Sequence, residues 1–425
     1  MARIPLLKAA AFVLSGLLLS SPSYAEGDLL DDDLDADGDL FAKDGFDGDD
    51  FSTDSILAAQ NEPFQLSVEY SLSLNPKASY QRTNHTTDLR LSSERSLGLL
   101  GYGEIELKAM QYWPGDVNKP AASPLSKVEI ETLIVQYSLA QTSVKLGRYV
   151  LSWGEVEGAG VLDLINPAPD VTAGGSGLKP QWLLSGSYYM PAAEVSGFIN
   201  VDPSVNEVPS ITLATKTNKE WGVKYAVTGS GTDWALYLGQ LVPNTPVINL
   251  ATGQASINNY QLVGFSWNKA IDDDLIKVDV AYKTGLQHNL GYTGLVTDKR
   301  FDAAIGLELN DGDRQWNMSL TAKHWFNYQA SYLTPAVSPV ASNQTDWTYN
   351  IGVSDNFKND EFSWSVMHFG TPNGSLKALT ATLTWNPADQ WQTSVSYAAM
   401  QAKANTAFAL MDGLQRLTLK AKFSY

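Results

Sequence analysis

From Phe64 onward the chain is written in a period of two. Leu417, Leu419, Ala421, Phe423 and Tyr425 alternate with Arg416, Thr418, Lys420, Lys422 and Ser424, which puts apolar groups on one face and polar or basic groups on the other. The same alternation runs through Trp316/Met318/Leu320/Ala322, Phe301/Ala303/Ile305/Leu307/Leu309 and Trp347/Tyr349/Ile351/Val353. It recurs at Leu379/Ala381/Leu383/Trp385 and Ile276/Val278/Val280/Tyr282. These segments run to about ten residues, the length a tilted membrane-spanning strand requires, whereas strands of soluble sandwiches usually stop at about 5–6. Trp and Tyr often stand at the ends of the apolar sets, where an aromatic girdle meets lipid headgroups.

Connections alternate between short and long. Short turns are expected near 96–100, 139–141, 191–192, 229–231, 269–273, 311–313, 357–360 and 386–389, many with Gly, Pro, Asn or Asp. Long loops are expected near 75–86, 114–126, 153–180, 202–218, 243–257, 285–300, 327–345, 371–376 and 403–412. Together these separate eighteen strands, with sixteen the next count because 219–242 alternates poorly. The pattern predicts an all-β chain, a transmembrane antiparallel outer-membrane β-barrel over 64–425. An even strand number leaves both ends on the short-turn, periplasmic side. The last strand closes on aromatic Tyr425, as in substrates of the outer-membrane assembly machinery. Outer-membrane lipid and that machinery are therefore expected partners. A barrel this wide encloses an aqueous lumen unless something fills it.

Ahead of the barrel the composition changes twice. Residues 1–25 have Arg3 and Lys8, an apolar stretch from Ala9 to Leu19 and a small-residue end at Ser23-Tyr24-Ala25, the order of a secretory signal peptide. Residues 26–63 form an acidic tail and linker; between 26 and 54 stand twelve Asp and one Glu against one Lys. Such a segment repels itself and is expected to be disordered. Within it, Asp33, Asp35, Asp37, Gly38, Asp39 and Asp44 follow the spacing of an EF-hand calcium loop, but the twelfth position is Asp instead of a bidentate Glu. Calcium binding and a solvated linker or docking strip for a basic partner both remain open. The chain has no Cys, which removes disulfides, thiolate metal sites and cysteine nucleophiles. Its net charge of -17 argues against nucleic acid as a partner. After residue 25 no apolar run approaches the roughly 20 residues of a membrane helix.

The longest connection, from Trp153 to Gly177, is rich in Gly and Pro yet carries Val161, Leu162, Leu164 and Ile165. Folding into the lumen would bury those four side chains and constrict the pore. Here the run Leu146-Gly-Arg-Tyr-Val-Leu-Ser-Trp-Gly-Glu155, followed by Leu164-Ile-Asn-Pro167, resembles the "GRQ-x-x-x-WGE … INP" signature of a Gram-negative outer-membrane barrel family catalogued only as a domain of unknown function. Tyr149 stands where that family commonly has Gln. The resemblance implies Gly147, Arg148, Trp153, Gly154, Glu155, Asn166 and Pro167 as signature positions. It also implies association with an inner-membrane exporter of hydrophobic molecules and a periplasmic carrier. Arg148 and Glu155 would pair to pin the loop, with Gly154 allowing the inward turn; the alternative is that these residues are structural fasteners without contact to cargo. Glu157 and Asp163 complete the expected lumen constriction.

Catalysis finds little support. The four histidines, His85, His288, His324 and His368, do not take the His-x-Ser spacing of an outer-membrane phospholipase, and no Gly-x-Ser-x-Gly elbow or phosphate loop occurs. His324 is expected to point inward, and each histidine to be satisfied or interfacial. The first functional expectation is a channel, without cofactor, that moves a hydrophobic or amphipathic molecule or lipid as the outer component of an envelope transport system. The second is a passive uptake porin for small solutes, and the third a structural or adhesive surface barrel.

Overall fold

The computed structural model describes residues 64–78, 80–98, 100–113, 126–167, 178–206, 218–335 and 339–425. The signal segment, the acidic tail and its calcium-loop spacing lie outside the described residues.

Eighteen strands follow the alternation: β1 (Gln65–Asn75), β2 (Gln81–Ser96), β3 (Gly101–Tyr112), β4 (Ser126–Leu139), β5 (Thr142–Tyr149) and β6 (Gln181–Met190). Then come β7 (Ala193–Asn200), β8 (Glu220–Gly229), β9 (Thr232–Leu241), β10 (Tyr260–Ile271), β11 (Asp274–Leu290) and β12 (Leu295–Asp311). The last six are β13 (Arg314–Trp325), β14 (Thr345–Phe357), β15 (Phe362–Gly370), β16 (Leu376–Ala388), β17 (Trp391–Ala402) and β18 (Gln415–Ser424). Each pairs antiparallel with the next, and β1 pairs with β18 through Val68 opposite Phe423 and Tyr70 opposite Ala421, which closes the barrel. Closure leaves no edge strand, so outside a few bulges the backbone amides of the wall pair within it, the condition for crossing a bilayer with strands.

Register sorts the side chains. Leu320, Ile305, Ile351, Leu383 and Leu419 stand exposed on the outer wall, as the alternation predicts. Ser71, Ser73, Thr86, Thr382, Ser396 and Thr418 are buried on the inner one, where Ser73 bonds Thr418 at 2.9 Å and Thr382 bonds Ser396 at 3.0 Å. Aromatics mark the outer rims: Phe357, Phe362 and Trp385 stack in a row at one end, and Tyr70, His85 and Trp113 group at the other. Tight turns are handled by local chemistry, as at Gly312, whose φ of 64° a side chain would strain.

Two loop expectations need correction, and the poorly alternating segment keeps the eighteen-strand count. The 285–300 loop is instead the continuation of β11 and β12, joined at 291–294, because a bulge between Thr284 and Leu286 lets the pairing carry on through His288 and Asn289. The short strands Tyr332–Thr334 and Val340–Ala341 add to that projecting end. The 75–86 loop shrinks to 76–80, since β2 begins at Gln81. Segment 219–242 forms two regular strands, β8 and β9. Their period was masked because Ala235, Tyr237 and Leu241 on the inner face are as apolar as Leu236 and Leu238 on the outer. An inner face of that kind means the lumen is covered there.

Candidate functional site: the lumen and its inward fold

The cover is residues 150–167. After Tyr149 the chain leaves the wall, and Gly154, at φ 96°, turns it inward. Trp153, Val156, Val161, Leu162 and Ile165 are all buried in one apolar cluster with Phe198, Tyr237, Leu262 and Ala281 of the wall, and Leu164 packs at its margin. Burying side chains of this size contributes about 1.5–3 kcal/mol each, which is what draws a Gly- and Pro-rich stretch out of solvent.

The wall makes room with glycine. A Cβ on Gly222 of β8 would come within 2.2 Å of Trp153 Cη2, and one on Gly264 of β10 within 2.4 Å of Leu162 Cδ2. Gly306 of β12 receives Val156, 3.2 Å from where its Cβ would be. Trp153 then lies 5.2 Å, ring to ring, from both Phe198 and Tyr237.

Polar contacts fix both ends. At the tip, the Asp279 carboxylate accepts the backbone N–H of Glu155 at 3.0 Å and of Val156 at 2.9 Å. At the base, Asn166 accepts the N–H of Leu151 at 3.4 Å and donates to its carbonyl at 2.8 Å. Asn244 donates to the Asn166 carbonyl at 2.7 Å, and Gln181 donates to the carbonyls of Ile165 and Ser204. The Pro167 carbonyl accepts from the Lys179 N–H as the chain returns toward β6.

The sequence-predicted residues are therefore divided. Trp153, Gly154, Asn166 and Pro167 lie in the fold as just described. Glu155 is not paired with Arg148: its carboxylate accepts from Asn268 at 2.8 Å, while Arg148 stands in the outward row of β5 with Leu146, opposite Trp182. The strand period separates them, since position 148 faces out whereas Glu155 has been carried inside. Glu157, half-exposed, reaches Lys277 at 3.8 Å, and Lys277 also binds Glu308. Asp163 accepts the Trp153 N–H, and its Oδ1 is enclosed without a further partner among the described residues. Burial pushes the Asp163 carboxyl up to about 7, with Asp279 adding to the rise.

Two charged clusters on the inner wall went unread in the sequence. On β11–β13, Lys283 lies 2.5 Å from Asp302, which also accepts from Nε and Nη2 of Arg300 at 2.6 and 2.8 Å, with Lys323 opposite in register. Arg300 stacks on Trp325 at 5.0 Å. On β2–β4, Lys108 bridges Asp88 at 3.2 Å and Glu131 at 3.6 Å, beside Arg90 and Glu106. Each residue sits at a polar position of an alternating strand, so its inward direction was legible; which strand would face it was not. His324 also departs from expectation. It shares the outward row of Leu320 and Ala322 and bonds Thr345 at 2.7 Å, so Lys323 is the inward residue. His85 and His368 stand on the outer face beside Tyr70 and Tyr349, and His288 packs between Trp325 and Tyr332.

A closed antiparallel wall of eighteen strands, apolar outside and mainly polar inside, with the 150–167 connection folded into the lumen, is the architecture of an outer-membrane β-barrel. Solved structures share it. Acinetobacter baumannii OccAB3 superposes with a TM-score of 0.55 at 10% identity, over 85% of this chain and 98% of that one. Pseudomonas aeruginosa OpdK, solved with vanillate, gives 0.55 at 7% identity over 85% and 98%. OccK2 (OpdF) of the same organism, in complex with glucuronate, gives 0.54 at 8% identity over 85% and 97%. No protein-family model matches the chain, and no curated protein matches it in sequence. The signature at 146–167 thus stands as a local resemblance.

Proposed function

We propose that the chain is a passive channel of the Gram-negative outer membrane that admits small polar solutes. The observation that carries this reading is the fate of the apolar residues inside the barrel. Trp153, Val156, Val161, Leu162 and Ile165 are spent on the wall of β6–β12, and the rest of the inner surface is mainly Ser, Thr, Asn and charged side chains, with Met367, Phe369 and Met400 as an apolar patch on β15–β17. That patch is confined to β15–β17 and the wall elsewhere is polar, which favours the uptake reading over lipid export. Arg300 and Lys323, beside the buried Lys283–Asp302 pair, favour small organic acids among the solutes. Vanillate and glucuronate, the molecules bound in two of the similar structures, are acids of that size.

Liposome swelling with the refolded mature barrel tests the reading. Sugars and small organic acids of a few hundred daltons are expected to enter, and deletion of residues 26–54 is expected to leave the rate unchanged. No swelling with any such solute, or flux that requires the 26–54 stretch, would return the partnered exporter to first place. Planar-bilayer conductance of the barrel beside a version lacking 156–178 measures the inward fold: a rise on deletion is expected, and equal conductance would remove it as the constriction.

A further inference from the structure

The short-turn rim of the barrel is divided into two contiguous halves of different chemistry. The turns between β2 and β3, β4 and β5, β6 and β7, and β8 and β9 span 97–100, 140–141, 191–192 and 230–231, and hold no Asp, Glu, Lys or Arg. The turns after β10, β12, β14 and β16 span 272–273, 312–313, 358–361 and 389–390. They carry Asp272, Asp273, Asp313, Asp360, Glu361 and Asp389 with Lys358 as their sole base. Because neighbouring strands are consecutive in sequence around the whole wall, the neutral turns lie on one side of the rim and the acidic turns on the other.

The neutral half is also apolar and exposed. Leu97, Leu100 and Leu139 are 46%, 53% and 66% accessible at the extreme end of the barrel. Leu139 continues the outer wall, since on β4 the outward row Val135, Tyr137, Leu139 is apolar to the last residue of the strand, whereas on β2 exposed Arg95 stands between the wall and Leu97. Across the barrel, exposed Arg314 stands in the outward row of β13 between Trp316 and the Asp313 turn, while Ile271, Phe357 and Trp391 bring exposed apolar groups up to the other acidic turns, so the two halves differ chiefly in charge.

We infer that the barrel sits inclined in its membrane, with the β2–β7 side of the short-turn rim sunk into the headgroup and acyl boundary of the periplasmic leaflet and the β10–β17 side standing clear in water. The occupant of the apolar rim is lipid, because through Leu139 that surface is continuous with the lipid-facing wall. Burial of Leu97, Leu100 and Leu139 favours the inclination, and immersing acidic turns on the other side opposes an upright position with equal depth all round. The inference rests on the barrel spanning the outer membrane with its short turns toward the periplasm, and it is independent of the cargo.

The Cys-free chain permits a direct test. Single cysteines at Ala140→Cys, Ala192→Cys, Asp273→Cys, Asp313→Cys and Asp389→Cys in the full chain, each labelled with a nitroxide, are reconstituted into phosphatidylethanolamine/phosphatidylglycerol vesicles. Folding of each is checked by heat-modifiable gel mobility. Collision with oxygen, which concentrates in lipid, and with a water-soluble nickel chelate then reads depth. The expected result is oxygen access at 140 and 192 and nickel access at 273, 313 and 389, a contrast of several-fold between the halves. Nickel access at all five sites overturns the inclination. Labels at 140 and 192 shielded from both reagents also overturn it: dipolar broadening would then make this rim a contact between copies, and its lack would mean that another molecule covers it. Conductance of the same preparations stays the separate test of the channel reading.

Discussion

The indole of Trp153 fills the space in which a side chain at Gly222 would stand: a Cβ there would lie 2.2 Å from Cη2. The seat belongs to β8, and the ring belongs to a segment that leaves the wall after β5. Gly222→Ala is therefore expected to push the ring off Phe198 and Tyr237 and to cost about 1–3 kcal/mol as an overpacked contact. Denaturant unfolding in detergent measures the loss, and single-channel recording should register a wider or noisier pore. Wild-type values in both would mean that Trp153 is not seated there.

Asp279 offers a separate handle on the same fold. Replacing it with Ala leaves the N–H groups of Glu155 and Val156 without their acceptor, at about 1–3 kcal/mol for each group left unsatisfied. Asp279→Asn keeps one acceptor oxygen and should fall between the two. Current fluctuation in planar bilayers is expected to rise in the order wild type, Asn, Ala; the same noise in all three would contradict the capping role.

The Asp163 carboxyl makes the fold sensitive to pH. In the unfolded chain it ionises in the ordinary carboxylate range, whereas burial holds its proton on to about pH 7 in the folded one. The stability linked to this group is complete at acid pH, declines as pH rises toward 7 and then levels off. Asp163→Asn is expected to flatten that decline in unfolding midpoints taken from pH 4 to 8. An unaltered slope in the variant would assign the pH dependence elsewhere.

On the other side of the lumen, Lys323 faces Asp302 and Asp346 in register. Lys323→Gln removes one of three cations at that level while leaving the bidentate Arg300–Asp302 pair in place. Reversal potentials in a salt gradient are expected to move toward cation preference, with swelling rates for organic acids falling and those for neutral sugars unchanged. Equal losses for acids and sugars would point to a narrowed pore instead of an electrostatic effect.

How far such a fold can be read from sequence depends on what each face of a strand meets. Leu417 to Tyr425 or Phe301 to Leu309 announce themselves because one side faces lipid and the other water. At β9 both sides of Trp234-Ala-Leu-Tyr-Leu are apolar, since the inner one is roofed by the inward segment, and the period vanished from view. Val161, Leu162 and Ile165 were legible as residues that needed a cover. The surface that supplies it was not, for Gly222, Gly264 and Gly306 carry no side chain to betray a contact. Asp279 caps a residue 124 positions away in the chain, and nothing local distinguishes it from any other inward carboxylate. The proposed Arg148–Glu155 pair failed for a related reason: nearness in sequence says little once one partner stays in a wall and the other leaves it.

Both clamps on the inward segment grip main chain. Asp279 takes peptide N–H groups of Glu155 and Val156, and Asn166 mirrors the peptide of Leu151. Neither depends on which side chain those positions bear. Exchange of half-exposed Glu157, beside the clamp, removes its ion pair with Lys277 but leaves both main-chain clamps in place. The lining of the lumen and the frame that holds it are thus separable: substitutions confined to a few lumen positions leave the main-chain clamps in place.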